Sequence, residues 1–315
     1  MHKLIRFYHQ NRKRIWGLII AIVLGFALIQ VINQNTKIQL DQKKESTSNR
    51  KTQNNYANQS KSMITGGTVT EKYQEKFGSL LDNFLTYCIN HEPEKAYGLL
   101  SQECKQLLYP NETIFDEQYC QGKFSGDKKY SFQSWTSSDT YIYQVKIFDN
   151  MLSTGIANTK TYIQDYISVI KENDTYKLNV NGYIGRVYRN KTKKQDNLEF
   201  TIKNVDLFMD YEIDTIIIVN QSQKDILLDP RKDMGSMYLV NDKDITFDAY
   251  SYENLEEQFK VKAGETKEVK IKFGNSYQEK NEIKQINFTK VILDFDQYQQ
   301  DPDQYQKYKT ITIDL

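Results

Sequence analysis

The chain has 315 residues, with 42 Lys or Arg against 41 Asp or Glu and a net charge of +1. This near-balance excludes the broad cationic field by which a protein gathers nucleic acid without sequence preference. Hydrophobic residues make up 39% and aromatic residues 13%, enough to pack cores, and the length leaves room for about two domains beside a tail and a span.

Residues 1–14 form a basic tail in which Lys3, Arg6, Arg12, Lys13 and Arg14 have no acidic neighbour. An uncharged apolar run comes next, interrupted by Gln30: Ile15, Trp16, Leu18, Ile19, Ile20, Ile22, Val23, Leu24, Phe26, Leu28, Ile29, Val31 and Ile32. At the helical rise it reaches roughly 27 Å, close to the thickness of a bilayer's hydrocarbon core. Residues 15–33 are therefore expected to form a transmembrane helix, with the lipid bilayer as partner and Trp16 at the interface. Cations before the run outweigh Lys37, Lys43 and Lys44 after it, which Asp41 and Glu45 offset. The N-terminus is thus expected in the cytoplasm and the rest outside. A cleaved leader is the rival reading, but its small-x-small site, Gly25-Phe26-Ala27, lies inside the run, and the flanks favour a signal anchor. Residues 34–70 hold ten Asn or Gln and ten Ser or Thr. They read as a flexible polar tether with its ends roughly 35 Å apart.

Periodic structure is expected from Glu71. Phe77, Leu80, Leu81, Phe84, Leu85 and Cys88 recur at the spacing of one helical face. After the break at Asn90-His91-Glu92-Pro93, a second stripe runs through Ala96, Leu99, Leu100, Leu107 and Leu108, with Pro93 suited to a first helical turn. The period then changes to two. YSFQSW (130–135), TYIYQVKIF (140–148), KTYIQDYISVIK (160–171) and TYKLNVNGYI (175–184) read as strands. Helices followed by long strands predict an α+β domain over 71–190, with the helices packed on a curved antiparallel sheet.

Beyond Lys194 the stretches 198–208, 211–222, 236–241, 245–250, 257–265, 266–274, 286–295 and 309–315 all read as strands. Some eight short strands separated by turn signals predict a β-sandwich over 195–315.

The paired helical stripes, with HEPEKAYGLLSQECKQLLYP at the second, and the strand meander ending in YKLNVNGYIGRVY resemble the nuclear-transport-factor-like superfamily. That resemblance implies a cone fold over 71–190. The segment 195–315 looks like the immunoglobulin-like sandwiches found outside bacterial membranes, although it lacks the Cys–Trp–Cys hallmark of antibody domains. The layout resembles envelope assembly components of conjugation and type IV secretion systems, which would imply other envelope proteins as partners.

Candidate chemistry is sparse. His2 and His9 fall in the expected cytoplasmic tail, leaving His91 in an inter-helix turn, so a zinc site built from imidazoles is excluded. Cys88, Cys104 and Cys120 are odd in number, which leaves at least one thiol free. Cys88 and Cys104 fall on apolar helix faces, as small hydrophobes do, and a Cys104–Cys120 disulfide is the alternative weighed against that. Asp139, Asp149, Asp165, Tyr141 and Tyr143 are the residue types a cone cavity would need for acid–base work, but no spacing rule marks them. DFDQYQQDPDQY (294–305) lacks the glycine and final glutamate of a calcium loop and reads as a connection. RVYRNKTKK places Arg186, Arg189, Lys191, Lys193 and Lys194 around Tyr188. This stripe is either a solvated linker or a contact for an anionic partner.

Together these features point to a non-catalytic, membrane-anchored extracytoplasmic interaction or scaffold protein of a Gram-positive-like bacterium, with no cofactor and no strong nucleic-acid signal. A binder of a small ligand in the cone cavity is the alternative, and an enzyme in that cavity the third.

Overall fold

The computed structural model describes residues 71–135, 140–150, 162–230, 235–279 and 281–315. Helix α1 (Glu71–Ile89) forms on the apolar stripe, and Phe77, Leu81, Phe84, Leu85 and Cys88 are fully buried. It ends at His91, whose backbone is left-handed (φ 57°). The His91 N–H bonds to the Cys88 carbonyl and the Glu92 N–H to the Tyr87 carbonyl, the paired pattern that closes a helix end and usually has glycine at this position. His91 is therefore a cap.

The second apolar stripe does not make one helix. It divides into α2 (Pro93–Gly98) and α3 (Gln102–Leu108). Between them a strand takes the backbone groups: the Leu178 N–H donates to the Leu99 carbonyl, and the Ser101 N–H donates to the Leu178 carbonyl. The Ser101 hydroxyl then accepts from the Cys104 N–H and starts α3. Three short turns come next: α4 (Glu112–Phe115), a π-helical turn (Asp116–Cys120) and α5 (Gln121–Phe124).

Strands β1 (Lys128–Ser134), β2 (Tyr141–Asp149), β3 (Ile163–Glu172) and β4 (Thr175–Asn179) pair in chain order, all antiparallel. Their inward residues Val145, Ile147, Ile167, Val169 and Leu178 share a core with Phe77, Phe84, Phe115, Tyr119 and Phe124 from the helices. Each buried ring of this kind contributes about 2 kcal/mol through the apolar surface it removes from water.

A turn at Asn181 and Gly182, both with positive φ, leads into β5 (Tyr183–Gln195), which joins β6 (Leu198–Phe208), β7 (Glu212–Asn220) and β12 (Thr266–Phe273) in the order β12-β7-β6-β5. A second sheet, β10-β9-β13-β14, is made of β9 (Met237–Asn241), β10 (Thr246–Asp248), β13 (Ile283–Val291) and β14 (Lys309–Asp314). The two sheets share one apolar core, with Phe200, Ile202, Ile216, Ile218, Ile271 and Phe273 from one and Leu239, Ile286, Phe288, Ile311 and Ile313 from the other. The short pair β8 (Ile226–Leu227) and β11 (Lys260–Val261) lies beside it.

Several expectations are corrected. The α+β class gives way to a mostly β chain: of the described residues 46% lie in strands and 25% in helices, with antiparallel sheets. Helices are confined mainly to residues 71–124, where β4 interrupts them, and strands dominate from Lys128 onward. Among the described residues no helix is long and apolar enough to cross a membrane, so the membrane and signal-anchor expectation finds no counterpart in this structure. The residues it rested on, Ile15 to Ile32, lie outside the described residues, as do the basic tail 1–14 and the tether 34–70. Residues 255–259, read partly as strand, form the short helix α6 (Leu255–Phe259), with Leu255 and Phe259 four apart on its buried side. The acidic stretch contains helix α7 (Phe295–Gln300).

The disulfide is Cys88–Cys120, and Cys104 is the buried free thiol. Burial pushes the Cys104 thiol up to about 12, where almost no reactive thiolate exists at neutral pH. Denaturing the protein without reductant should expose one alkylatable thiol per chain, while the folded protein reacts slowly. Replacing the bridge with Cys88→Ala and Cys120→Ala should cost roughly 3–4 kcal/mol in chemical denaturation, from the loop of about thirty residues it closes.

Candidate functional site

Three constellations hold the chemistry-bearing side chains. In the first, Tyr141, Tyr143, Asp149 and Asp165 share the sheet face that looks at the helices, because the register sets Val145 opposite Asp165 and Tyr143 opposite Ile167. Asp139 lies outside the described residues. The four do not converge. Asp149 is exposed beside Lys128 at 2.5 Å, Tyr141 packs against Phe77, and the buried Tyr143 hydroxyl has no hydrogen-bond partner among the described residues.

Asp165 is buried and its oxygens are occupied. Oδ2 accepts from the Tyr119 hydroxyl at 2.7 Å and from the Asn181 N–H, and faces Lys123 Nζ at 3.0 Å. Oδ1 accepts from the Tyr166 N–H. Tyr119 reaches this point because the π-helical turn adds a residue and buries both Tyr119 and Cys120. Turns of this kind often mark functional sites, and no sequence pattern announces this one. Burial, and then the neighbouring Asp165 charge, hold the Tyr119 phenol protonated far above its ordinary range. Around it Phe84, Phe115 and Phe124 fill the interior.

The second constellation is a carboxyl pair that no motif or spacing in the sequence singles out. Glu212 and Asp214 stand two apart on β7, on the side that carries Ile216 and Ile218 into the apolar core, and are 4% and 0% exposed. Glu212 accepts from Asn275 Nδ2 at 2.7 Å, while among the described residues no group faces the oxygens of Asp214 apart from the Glu212 carboxyl. Burial pushes the Glu212 carboxyl up to about 7. Burial, followed by the Glu212 charge, raises Asp214 well above the usual carboxylate range.

The third is the basic stripe, which lies on β5. Arg186 is engaged: Nε and a terminal nitrogen donate to the two oxygens of Asp206 at 2.7 and 3.0 Å, and the Tyr183 hydroxyl donates to the same carboxylate. That hydrogen bonding to Asp206 is the largest cause holding the guanidinium above its ordinary range. Lys194 pairs with Glu199 at 3.1 Å. Arg189, Lys191 and Lys193 form no ion pair among the described residues. Every residue from Tyr188 to Thr192 is exposed, although strand residues normally alternate. The cause is a bulge: Asn190 takes a left-handed backbone, and the register with β6 shifts between Tyr188 and Lys191. Lys191 and Lys193 then face the same side, opposite Ile202 and Phe200, with their Cα atoms about 7 Å apart along the strand.

The remaining candidates do not assemble a site. Asp294 caps α7 by accepting from the Gln297 N–H and pairs with Lys224. Asp301 accepts from the Gln304 N–H. Among the described residues no group of three or more His, Cys, Asp or Glu is placed to hold a metal ion. A shallow groove of about 450 Å³ is lined by Leu227, Pro230, Leu255, Tyr298 and the glutamates 253, 256 and 257.

Members of the stripe should therefore differ under substitution. Arg186→Ala strands a buried carboxylate and is expected to cost about 3–5 kcal/mol in urea unfolding. Lys191→Ala and Lys193→Ala should each stay within about 0.5 kcal/mol. Comparison of the chain with protein-family models, with curated proteins and with solved structures yields no match.

Proposed function

We propose that the described part of the chain is a non-catalytic interaction module. It works in an oxidising compartment outside the cytoplasm and engages an anionic partner, another envelope component, through β5. The observation that carries this reading is the row of cations Arg189, Lys191 and Lys193, which form no ion pair among the described residues and lie on a strand that is exposed on both faces from Tyr188 to Thr192. An exposed ion pair contributes little by itself, but several cations in fixed register sum against a partner with repeated negative charge.

Two further features support it. The Cys88–Cys120 bridge fits a compartment that lacks the cytosol's reducing systems. The acid–base side chains of the helix–sheet half are engaged with their own neighbours: Asp165 has Tyr119, Lys123 and two backbone N–H groups. A general base would need a free lone pair aimed at a substrate.

Retention of the full-length chain on a resin carrying a phosphorylated polymer, read as the salt concentration that elutes it, tests the proposal. Lys191→Glu combined with Lys193→Glu should weaken binding about tenfold at physiological ionic strength, with thermal stability unchanged. Equal elution of variant and parent would remove β5 from the function.

A further inference from the structure

Glu212 and Asp214 occupy a place where a charge is costly. On β12, Phe273 stands opposite Glu212 and Ile271 opposite Asp214. On β6 the opposing residues are Leu207 and Val205. Apolar side chains thus flank the pair on both sides, and among the described residues no group other than the neighbouring Glu212 carboxyl faces the Asp214 oxygens to offset their burial.

The pair is also wired to a junction. Asn275 Nδ2 donates to Glu212, Asn281 Nδ2 donates to Asn275 Oδ1 at 3.1 Å, and Asn241 Nδ2 donates to Asn281 Oδ1 at 3.1 Å. In the segment from Gly274 to Gln278 that carries Asn275, the Gly274 N–H donates to the Asp248 carbonyl, and three side chains make further contacts. The Ser276 hydroxyl donates to the Met209 carbonyl, and Gln278 Nε2 donates to Asp210 Oδ1. The Tyr277 hydroxyl donates to Thr140 Oγ1 at the start of β2. This segment therefore fastens the strand pair β6–β7 to the helix–sheet half, and its root is the Glu212 carboxyl.

We propose that Glu212 and Asp214 act as a proton-controlled latch: while the pair keeps its protons, the segment Gly274 to Gln278 stays seated on Met209, Asp210 and Thr140, and loss of a proton from the pair loosens it.

The groups around the pair set the direction. From β5, Arg189 favours ionisation of both carboxyls, but it is itself exposed and screened. From β6, the Asp206 charge opposes ionisation of Asp214 and is already committed to Arg186. From β12 the facing residues are apolar, while Lys272 lies between the rings of Tyr211 and Tyr250. From the segment before α6 comes Tyr252, whose hydroxyl accepts from the Lys272 N–H. On the far side of the asparagine chain, Glu282 pairs with Lys284.

Both carboxyls are raised in the folded chain, to about 7 for Glu212. Their contribution to stability is therefore complete below the ordinary unfolded carboxylate range and is lost as pH rises through the folded value. Two carboxyls this close lose their protons as a pair, so the first step belongs to both. The second charge would draw water into an apolar site, and the bond to Asn275 is where that disturbance leaves the core.

Hydrogen–deuterium exchange on the full-length chain, corrected for intrinsic rates, reads the latch directly. Between pH 5.5 and 8.5 the backbone of the segment Gly274 to Gln278 should lose about tenfold in protection, the equivalent of one pH unit of linkage. Glu212→Gln, which still accepts from Asn275, should keep that protection at pH 8.5 and raise the melting temperature there. Asp214→Asn should act in the same direction. Arg189→Ala removes the favouring cation and should move the transition to higher pH. Asn275→Ala should raise exchange of the segment at both pH values while the melting temperature keeps its pH dependence. Protection that does not change with pH in the parent chain, or that changes equally in Glu212→Gln, would overturn the proposal.

Discussion

Arg186 and Asp206 meet where the chain leaves one apolar core for the other, and the two-pronged bond between them fixes that crossing. Tyr183, three residues earlier, is fully buried against Phe208 in the first core and donates to the same carboxylate. Asp206 sits on β6, whose other end supplies Phe200 and Ile202 to the second core. A guanidinium and a carboxylate in this geometry give direction as well as attraction. The bond therefore ties β5 to β6 at the crossing, and the bulge at Asn190 beyond it decides which residues of the strand are exposed.

The rest of the polar architecture obeys a partition. In the helix–sheet half, Asp165 is surrounded by donors and enclosed by rings, which makes it a fixed point of the core. In the two-sheet half, Glu212 and Asp214 are buried with too few donors. On the outer part of β5, Lys191 and Lys193 form no ion pair among the described residues. A satisfied carboxylate holds shape, an underserved pair stores a response to protons, and an unanswered charge looks outward for a partner.

Individual strands are legible in the sequence where one face is apolar and the other wet. Residues 198–208 alternate and form β6 over the same span, and Val269, Ile271 and Phe273 alternate through β12. Legibility fails where a second influence cuts across the period. Leu99, Leu100 and Ser101 look helical, but β4 claims their backbone groups. Leu255 and Phe259 have a spacing of four within a stretch that otherwise reads as strand. In β7 the run Ile216, Ile217, Ile218 and Val219 is apolar on both sides, so nothing in it says which face is interior. Glu212 and Asp214 accordingly carry no mark of their burial. The Cys88–Cys120 bridge depends on a π-helical turn that rotates Cys120 inward, and no spacing rule encodes that rotation.

The bulge at Asn190 has a consequence for how copies of this chain behave in a crowd. A long border strand with open backbone groups invites a second copy to zip onto it and extend the sheet into a fibre. Here the left-handed residue throws the border out of line, and the cations beside it would confront their own kind in any antiparallel twin. The same lysines that welcome an oppositely charged neighbour thus guard the molecule against polymerising with itself.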